Sequence, residues 1–386
     1  MSEVVLRVDK PAHGGSCVGR LDGQVVFCRY SLPGETVTAR VTEDSGRFLR
    51  ADAVAVQHDP HPQRRESPCA WFGPDRCGGC SWLHTTPDEQ LVLKSQILSE
   101  TLERIGGVVE QVPVVSLGLE AGWRTRMTLH ADGDGRLGFH GARSDHIVPV
   151  GDCMQAASEL EVAELLARQW PPGADVHVSV SDAGRAVLVR RQDGSREVDG
   201  PQEHVHDVQG RLFTRAVDGF WQSHRLAPDV LVEEVRSLVD PGGSIVDLYA
   251  GVGLLGLSLL GEAVQRLVLV EGDRRAAAHA RRNAAGDDRV KVIARDVRQW
   301  RATDADLVVL DPPRAGAGKD VIRAVAETGA ASVVYVSCEP STLARDLALF
   351  DARGYRPDHL RGFDLFPGTA HVETVVRLRS TASTSR

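Results

Sequence analysis

Residues 244–254 have the sequence SIVDLYAGVGL, an apolar strand that leads into a glycine-rich turn. A helix predicted over 255–260 follows the turn directly. Glycine lets the backbone approach a ligand closely, and the amino end of a helix favours negative charge beside it. Gly251, Gly253 and Gly256 complete a GxGxxG spacing, which many nucleotide and cofactor folds share and which is weak evidence alone. The stretch predicts a doubly wound α/β sheet with a cofactor turn after its first strand.

Two later strands of this sheet lead to acidic side chains. The strand predicted over 267–270 ends at Glu271, where a carboxylate is placed to bind both hydroxyl groups of a ribose. The strand predicted over 290–293 leads to Asp296, which we expect to contact an adenine amino group. Because the carboxyl ends of parallel strands lie at one edge of a sheet, both residues are cofactor candidates.

The strand predicted over 306–310 ends in the step Asp311-Pro312-Pro313-Arg314. Proline fixes φ, so such a loop holds its carbonyl groups and side chains in defined directions. The step is typical of class I methyltransferases that act on planar amide or amine groups of bases. It argues against the hydride transfer that the glycine pattern alone would allow. A proline-stiffened surface loop without a function is the alternative.

A single cysteine, Cys338, follows the strand predicted over 332–337. Function in open α/β sheets concentrates at the carboxyl ends of strands. A helix that Ser341 or Thr342 could cap comes next, and this setting predicts a thiolate with a lowered pKa. The alternative is an inert buried cysteine, which is the commoner fate of a lone one.

Near the end of the chain, Glu373 places a carboxylate inside the otherwise apolar strand predicted over 371–376. A buried charge is costly unless it is paired or functional. Glu373 is therefore a candidate general base. The alternative is a glutamate on an edge strand that faces water.

The length of 386 residues predicts two or three domains. Residues 1–58 contain short β-rich runs between glycine and proline turns and predict a small barrel. Residues 59–215 predict a β-rich central domain with a helix from Thr86 to about Ile105, and residues 216–386 alternate strands and helices. No run approaches the ~20 apolar residues of a membrane span, and no apolar signal segment begins the chain. We therefore expect a cytoplasmic protein that does not cross a membrane.

Four of the seven cysteines form a candidate metal site. Cys69, Cys77 and Cys80 are close in sequence, with CGGC between 77 and 80, and Cys153 follows in the central region. A CxxC pair with two further cysteines is strong evidence for metal in a protein without a disulfide scaffold. Four thiolates suit zinc and iron–sulfur clusters alike, so the spacing does not decide between them.

Six short motifs together resemble the bacterial RNA (uracil-5-)methyltransferase family. In family order they are Phe220-Trp221-Gln222, DLYAG at 247–251, DPPR at 311–314, SCEP at 337–340, LARD at 343–346 and HVET at 371–374. The likeness covers nearly the whole chain, because residues 1–58 also resemble the TRAM domain, an OB-like RNA-binding barrel. The implied fold is a class I Rossmann-like methyltransferase domain with a β-rich central domain and this barrel.

The resemblance implies roles for individual residues. Cys338 would be the nucleophile that attacks uracil, and Glu373 would remove the C5 proton. S-adenosylmethionine would be held by Gln222, Tyr249, Glu271 and Asp311, together with Gly251, Gly253 and Asp296 of the turn and the third strand, and Arg314 would contact the substrate. The four cysteines would hold a [4Fe–4S] cluster, with zinc as the less favoured alternative. The implied partner is ribosomal or transfer RNA, and we expect a monomer.

Two positions depart from the family pattern, and two rival functions stay open. Many members carry asparagine where this chain has Leu254, and asparagine is usual where it has Glu339. One rival is an RNA-binding iron–sulfur protein with a degenerate methyltransferase domain. The other is an RNA methyltransferase that modifies a base nitrogen. Local basic patches are candidate RNA contacts in a chain whose net charge is −8: Arg124 and Arg126, Arg190 and Arg191, and Arg281 and Arg282.

Overall fold

The computed structural model describes residues 3–239 and 242–381. The chain begins with a closed five-stranded barrel in the order β1-β2-β3-β5-β4. Its strands are β1 (Glu3–Ala12), β2 (Ser16–Leu21), β3 (Gln24–Arg29), β4 (Thr36–Asp44) and β5 (Phe48–His58). Cys17 and Cys28 are buried in its core, as expected of cysteines outside the metal set.

A linker and one long helix follow the barrel. Helix α1 (Pro87–Thr101) starts at Thr86, whose hydroxyl accepts from the backbone N–H of Glu89, with Pro87 in the first turn. These are the start signals that the sequence predicts. One wider turn continues the helix over Leu102–Gly106, and Gly107, with φ of 68°, ends it. Strand β6 (Val114–Ser116) comes next.

The central region forms a six-stranded antiparallel sheet and a separate hairpin. The sheet has the order β12-β11-β10-β7-β8-β9. Its strands are β7 (Arg126–Ala131), β8 (Leu137–His140), β9 (Ile147–Pro149), β10 (Asp175–Ser181), β11 (Gly184–Arg190) and β12 (Arg196–Asp199), and the hairpin is β13 (Glu203–Val208) with β14 (Arg211–Ala216). The short helix α2 (Val162–Leu166) lies between β9 and β10. Both hairpins that the sequence predicts, β7–β8 and β10–β11, are confirmed.

The C-terminal region is an eight-stranded sheet in the order β17-β16-β15-β18-β19-β21-β20-β6, and β15 to β19 are parallel. Its other strands are β15 (Gly243–Leu248), β16 (Val264–Glu271), β17 (Val290–Ala294), β18 (Leu307–Leu310), β19 (Ser332–Ser337), β20 (Tyr355–Asp364) and β21 (Glu373–Ser380). The helices are α3 (Ala227–Ser237), α4 (Leu254–Ser258), α5 (Arg274–Asn283), α6 (Gly318–Glu327) and α7 (Pro340–Asp351). This is the predicted doubly wound arrangement of a class I methyltransferase domain.

Two apolar layers enclose the central strands of this sheet. Successive side chains of a strand point to opposite faces. Val333 and Tyr335 accordingly pack in the layer that contains α6 and α7, whereas Val334 and Val336 pack in the layer that contains α3. Every residue of β19 is buried, as expected for a strand that is covered on both faces.

The C-terminal sheet contains residues from both sides of the predicted domain boundary at 215/216. Strand β6, which lies in the segment assigned to the central domain, pairs in parallel with β20. Leu98 and Leu102 of the helical segment pack in the same core as α7. The three-domain division stays a prediction, but these residues belong physically to the C-terminal sheet. Within the described residues, no helix is both long and apolar enough to cross a membrane.

Candidate active site

A cleft of about 710 Å³ opens at the carboxyl edge of the C-terminal sheet. It brings together eight predicted site residues that are far apart in sequence: Gln222, Tyr249, Gly251, Glu271, Asp311, Arg314, Cys338 and Glu373. Phe366, His371 and Arg124 also line it. The sequence predicts no site role for Phe366 or His371, although His371 belongs to the HVET motif, and it predicts Arg124 only as a candidate RNA contact.

The glycine turn has the unusual backbone that its sequence predicts. Gly251 and Gly253 have φ of 56° and 93°, in the left-handed region that favours glycine, and Tyr249 adopts φ of 61° although it carries a side chain. A Cβ on Gly256 would stand 2.7 Å from Asp247 Oδ2 and from Leu269. The third glycine therefore lets α4 pack closely on the strands, as in other folds with this spacing.

Glu271 is tied to the turn by hydrogen bonds. Its Oε2 accepts from Gly251 N at 2.7 Å, and its Oε1 accepts from Asp273 N at 2.7 Å. An ionised carboxylate has about four acceptor positions, so Glu271 retains acceptor capacity toward the cleft. Asp296 is placed differently: it does not line the cleft, and its carboxylate binds Arg298 and caps a short helical turn. Its contact with adenine remains a prediction.

Buried acids surround the candidate nucleophile. Burial raises the pKa of Asp311 to about 7. Burial also raises the pKa of Glu373 well above its ordinary value, and the charge of Asp311 adds to the rise, whereas Arg314 opposes it. Glu373 is only 3% exposed. Both carboxyls therefore hold a proton more strongly than exposed carboxyls do, as expected for neighbouring acids in a site with little water.

The structure corrects two expectations about Cys338. Burial, followed by the charges of Glu373 and Asp311, raises the thiol pKa from 9.0 to about 12, so the predicted lowering is wrong for the free protein. The next helix is capped by Glu339, whose carboxylate accepts from Ser341 N, and not by the hydroxyl of Ser341 or Thr342. Thr342 instead donates its hydroxyl to the carbonyl of Arg314 at 3.0 Å. The residue that departs from the family pattern thus acts as a helix cap.

A buried carboxylate fixes the loop that carries the proline step. Asp346 is fully buried and accepts from Tyr335 Oη at 2.8 Å and from Ala317 N at 2.7 Å. Arg345, bound to the other oxygen of Asp346, donates to the carbonyl of Ala315 at 2.8 Å. The LARD motif therefore holds the backbone immediately after Arg314.

The four candidate metal ligands lie near one another. Burial is the main cause that raises the pKa of Cys80 to about 12, and the other three sulfurs, including Cys153, raise it further. Among residues 3–239 and 242–381, however, no group of three or more His, Cys, Asp or Glu side chains stands close enough to hold a single metal ion.

The cysteine segment touches one wall of the cleft. The carbonyl of Gly368 accepts from Ser81 N and Trp82 N at 2.9 and 3.0 Å. Gln155 Nε2 donates to Cys80 Sγ at 3.7 Å and to the carbonyl of Pro367 at 3.1 Å. Lys94 is completely buried and donates to the carbonyl of Phe366 at 3.1 Å. The loop with Phe366 and His371 thus rests on the segment that follows the cysteines.

Comparisons with known proteins agree with this geometry. Family models match the chain as a TRAM domain over residues 2–54, a methyltransferase small domain over 224–332 and a tRNA (Uracil-5-)-methyltransferase over 288–381. A Streptomyces coelicolor protein described as an uncharacterized RNA methyltransferase is 40% identical over 98% of this chain and 93% of its own length. The 23S rRNA (uracil(1939)-C(5))-methyltransferase RlmD of Pseudomonas fluorescens is 31% identical over 96% of this chain and 90% of its own.

The chain belongs to the RNA (uracil-5-)methyltransferase family. It is therefore an enzyme that uses S-adenosylmethionine as methyl donor and RNA as substrate. Its fold resembles that of the Pyrococcus abyssi tRNA (uracil-54, C5)-methyltransferase, solved with S-adenosyl-L-homocysteine, with a TM-score of 0.74 at 23% identity. That likeness covers 97% of this chain and all of the other. The barrel is accordingly a TRAM domain.

Proposed function

We propose that this enzyme methylates carbon 5 of a uridine in ribosomal RNA through a covalent bond between Cys338 and carbon 6 of the uracil. The observation that carries the proposal is the common cleft, where Cys338, Glu373 and Asp311 lie with the cofactor candidates. Ribosomal RNA is favoured over transfer RNA because the relative that covers nearly the whole chain at 31% identity is named for 23S rRNA. The transfer RNA enzyme supports the fold alone.

Uracil chemistry explains the need for a thiol. Carbon 5 of uracil is a poor nucleophile, and bound S-adenosylmethionine supplies an electrophilic methyl group. The thiol of Cys338 first gives its proton to the carboxylate of Asp311, which leaves Glu373 ionised for the later proton transfer. Its sulfur then bonds to carbon 6, and the resulting enolate makes carbon 5 nucleophilic toward the methyl group. Arg314 lies close enough to lower the pKa of Cys338, and we assign it the developing negative charge on the uracil oxygen.

The second half of the reaction needs a base. After methyl transfer, carbon 5 carries both a methyl group and a proton. Glu373, in its ionised form, takes this proton, the C6–Sγ bond breaks, and the sulfur leaves as thiolate. The raised pKa of Glu373 makes it a stronger base than an exposed glutamate. The uridine must leave its stack to reach a cleft of this kind.

The remaining site residues fit the cofactor. Gln222 and Tyr249 line the wall shared with Asp311, and Gly251 and Gly253 shape the turn beneath it. Glu271 is placed to bind the ribose through its unused acceptor positions. Leu254 lines the same turn but offers no polar side-chain group, so the hydrogen bond that asparagine would make there is absent.

The intact cleft disfavours both rival functions. A degenerate methyltransferase domain would not be expected to keep a thiol, a buried acid and the cofactor wall together. A methyltransferase that acts on a base nitrogen needs no cysteine, because the nitrogen lone pair attacks the methyl group directly. Covalent trapping therefore separates the three possibilities.

The decisive experiment uses methyl-labelled S-adenosylmethionine and denaturing gel electrophoresis. Cys338→Ala should abolish both methyl transfer and any covalent protein–RNA species. Glu373→Gln should still add to the base and transfer the methyl group, then stall before the sulfur leaves, so that a labelled adduct accumulates. The double variant should lose that adduct. Turnover by Cys338→Ala, or a folded, RNA-binding Glu373→Gln that is inactive without an adduct, would contradict the assigned role.

A second measurement identifies the RNA. Mass mapping of modified uridines in ribosomal and transfer RNA from a deletion strain should show one ribosomal 5-methyluridine missing. Loss from transfer RNA alone would refute the choice of ribosomal RNA while leaving the chemistry intact.

We also propose that Cys69, Cys77, Cys80 and Cys153 hold a [4Fe–4S] cluster. The proposal is supported by the CxxC pair with two further cysteines and by the proximity of the four sulfurs, since the other three raise the pKa of Cys80. Four thiolates suit zinc as well as a four-iron cluster, so the measurement decides between the two. Anaerobically purified protein should be brown with broad visible absorption. Colourless protein with stoichiometric zinc from iron-replete cells would refute the cluster.

We further propose that the enzyme acts as a monomer in the cytoplasm. The proposal is supported by the cleft, whose candidate catalytic and cofactor residues all come from one chain. Sedimentation of the purified protein tests the oligomeric state.

A further inference from the structure

One carboxylate at the edge of the cleft binds three arginines. Asp218 has a side chain only 5% exposed, and its oxygens lie 3.0 Å from Arg190, 3.3 Å from Arg196 and 3.1 Å from Arg275. Each of these arginine side chains is itself about half exposed. A single negative charge cannot balance three guanidinium groups, so positive charge remains on the surface.

Two further arginines lie beneath this group without a carboxylate of their own. Arg126 donates to the carbonyl of Trp221, and the fully buried Arg215 donates to His206 and to backbone carbonyls. Burial lowers the pKa of Arg126 to about 10 and that of Arg215 to about 9, and the two charges repel each other. We call Arg126, Arg190, Arg196, Arg215 and Arg275 around Asp218 the arginine cluster.

The pairing of two members points to a function outside the protein's own stability. Arg190 of β11 and Arg196 of β12 are directly opposite in an antiparallel ladder. Like charges at such positions destabilise a sheet. Among the described residues, the carboxylate that pairs with both of them is that of Asp218, which also binds Arg275. A site of this kind gains most when an anion from outside binds to it.

We infer that the arginine cluster binds the phosphate backbone of the RNA substrate where the strand crosses the cofactor side of the cleft. The inference rests on the proposed function, since it takes RNA as the ligand. Arg275 and Arg215 line the cleft, whereas Arg190 and Arg196 are not among its lining residues. An RNA backbone that continues past a flipped uridine would contact the arginines that line the cleft and also Arg190 and Arg196.

An exposed aromatic ring adjoins the cluster. Phe220 is 69% exposed, and the guanidinium carbon of Arg126 lies 5.8 Å from its ring centre. Bases of single-stranded RNA stack on such rings next to cationic side chains. The remaining arginines of the basic pairs suggested by the sequence fit less well. Arg191 and Arg282 each have their own glutamate, and Arg124 is largely buried.

The test removes the two members outside the cleft and measures RNA binding without methyl transfer. The Arg190→Gln/Arg196→Gln variant is titrated against a fluorescein-labelled RNA stem-loop with a uridine-rich loop, by anisotropy at several KCl concentrations. Each phosphate contact to single-stranded RNA contributes about 0.7 to the salt slope, so the double variant should lose about 1.4. At ~0.1 M salt, relative to 1 M, this corresponds to about 25-fold weaker binding.

The chain offers a matched control. Arg356 and Arg379 are also directly opposite in an antiparallel ladder, and both have aspartate partners. Arg379 pairs with Ser332, the first residue of β19, so this pair lies at the end of the sheet opposite Cys338. Arg356→Gln/Arg379→Gln should bind the stem-loop as the unaltered protein does. Arg190→Lys/Arg196→Lys should keep the salt slope, because the charge is retained.

Three results would overturn the inference: equal affinities and salt slopes in both Gln double variants, weakened S-adenosylmethionine binding in calorimetry with RNA binding unchanged, or no binding of RNA by the unaltered protein. The first two leave the proposed uracil chemistry untouched, since that is tested by adduct formation and by mass mapping. Absence of a covalent adduct in the Cys338 and Glu373 experiment, with the salt-slope loss of Arg190→Gln/Arg196→Gln as expected, would instead count against the proposed chemistry alone.

Discussion

In the free enzyme, Cys338 should react more slowly than an ordinary cysteine. Its thiol pKa is raised from 9.0 to about 12, first by burial and then by Glu373 and Asp311. Only the thiolate form of a cysteine attacks. At pH 7 the thiolate fraction of Cys338 is then about 10⁻⁵, against about 10⁻² for an unperturbed thiol. A more basic thiolate is also more nucleophilic, which with a Brønsted coefficient of 0.4–0.5 recovers roughly 20-fold. The net expectation is attack about 50-fold slower at pH 7.

The assay is modification by a small aromatic disulfide, followed on the Cys338 peptide by mass spectrometry between pH 6 and 10. The same peptide in urea-unfolded protein is the reference. Glu373→Gln removes a neighbouring carboxylate, so the thiol pKa should fall toward its ordinary value and the reaction should speed up. Arg314→Gln should act in the opposite direction, because Arg314 lowers the pKa of Cys338. Reaction at pH 7 as fast as in the unfolded chain, or a slower Glu373→Gln, would refute the reasoning.

Two further variants test the cofactor turn. Glu271→Ala should weaken S-adenosylmethionine binding by roughly 1–3 kcal/mol, the scale for hydrogen bonds to a charged group, and unchanged affinity by calorimetry in a folded variant would remove the ribose assignment. Burial raises the pKa of Asp247 from 3.8 to about 8, so between about pH 4 and 8 the folded protein retains a proton that the unfolded chain releases, and stability falls as pH rises. Asp247→Asn should abolish that part of the decline in stability, which is at most about 6 kcal/mol. If urea unfolding showed the same dependence of stability on pH in both proteins, the raised pKa of Asp247 would be contradicted.

The sequence was a good guide wherever local pattern and backbone chemistry decide the outcome. The strand predicted over 332–337 is β19 to the residue, because a run of six residues buried on both faces has few alternatives. The glycine turn and the start of α1 were predictable for the same reason: positive φ and helix capping depend on residues adjacent in the chain.

Properties set by distant residues were not predictable in this way. The pKa of Cys338 depends on Glu373 and Asp311, which lie 35 and 27 positions away in the sequence, and on the water that the folded chain excludes. The arginine cluster joins strands β7, β11, β12 and β14 and helix α5 around Asp218. The pattern of residues within one segment does not predict contacts between side chains that are so far apart in the sequence. The pairing of β6 with β20 was missed for the same reason.

The cysteine segment is connected to one wall of the cleft by hydrogen bonds to the loop at 366–368. The cysteines lie far in sequence from the glycine turn, so Cys77→Ser is expected to harm folding or RNA docking more than cofactor affinity. In the folded chain, Gln155 joins Cys80 to the carbonyl of Pro367, one residue from Phe366. Phe366 and His371 flank the Glu373 side of the cleft, whereas Glu271 lies beside the glycine turn. Two hydrogen bonds of Gln155 therefore connect Cys80 to the loop that carries Phe366, so the cleft readout expected to respond first to Cys77→Ser or Cys80→Ser is the reaction at Cys338 and not the affinity for S-adenosylmethionine.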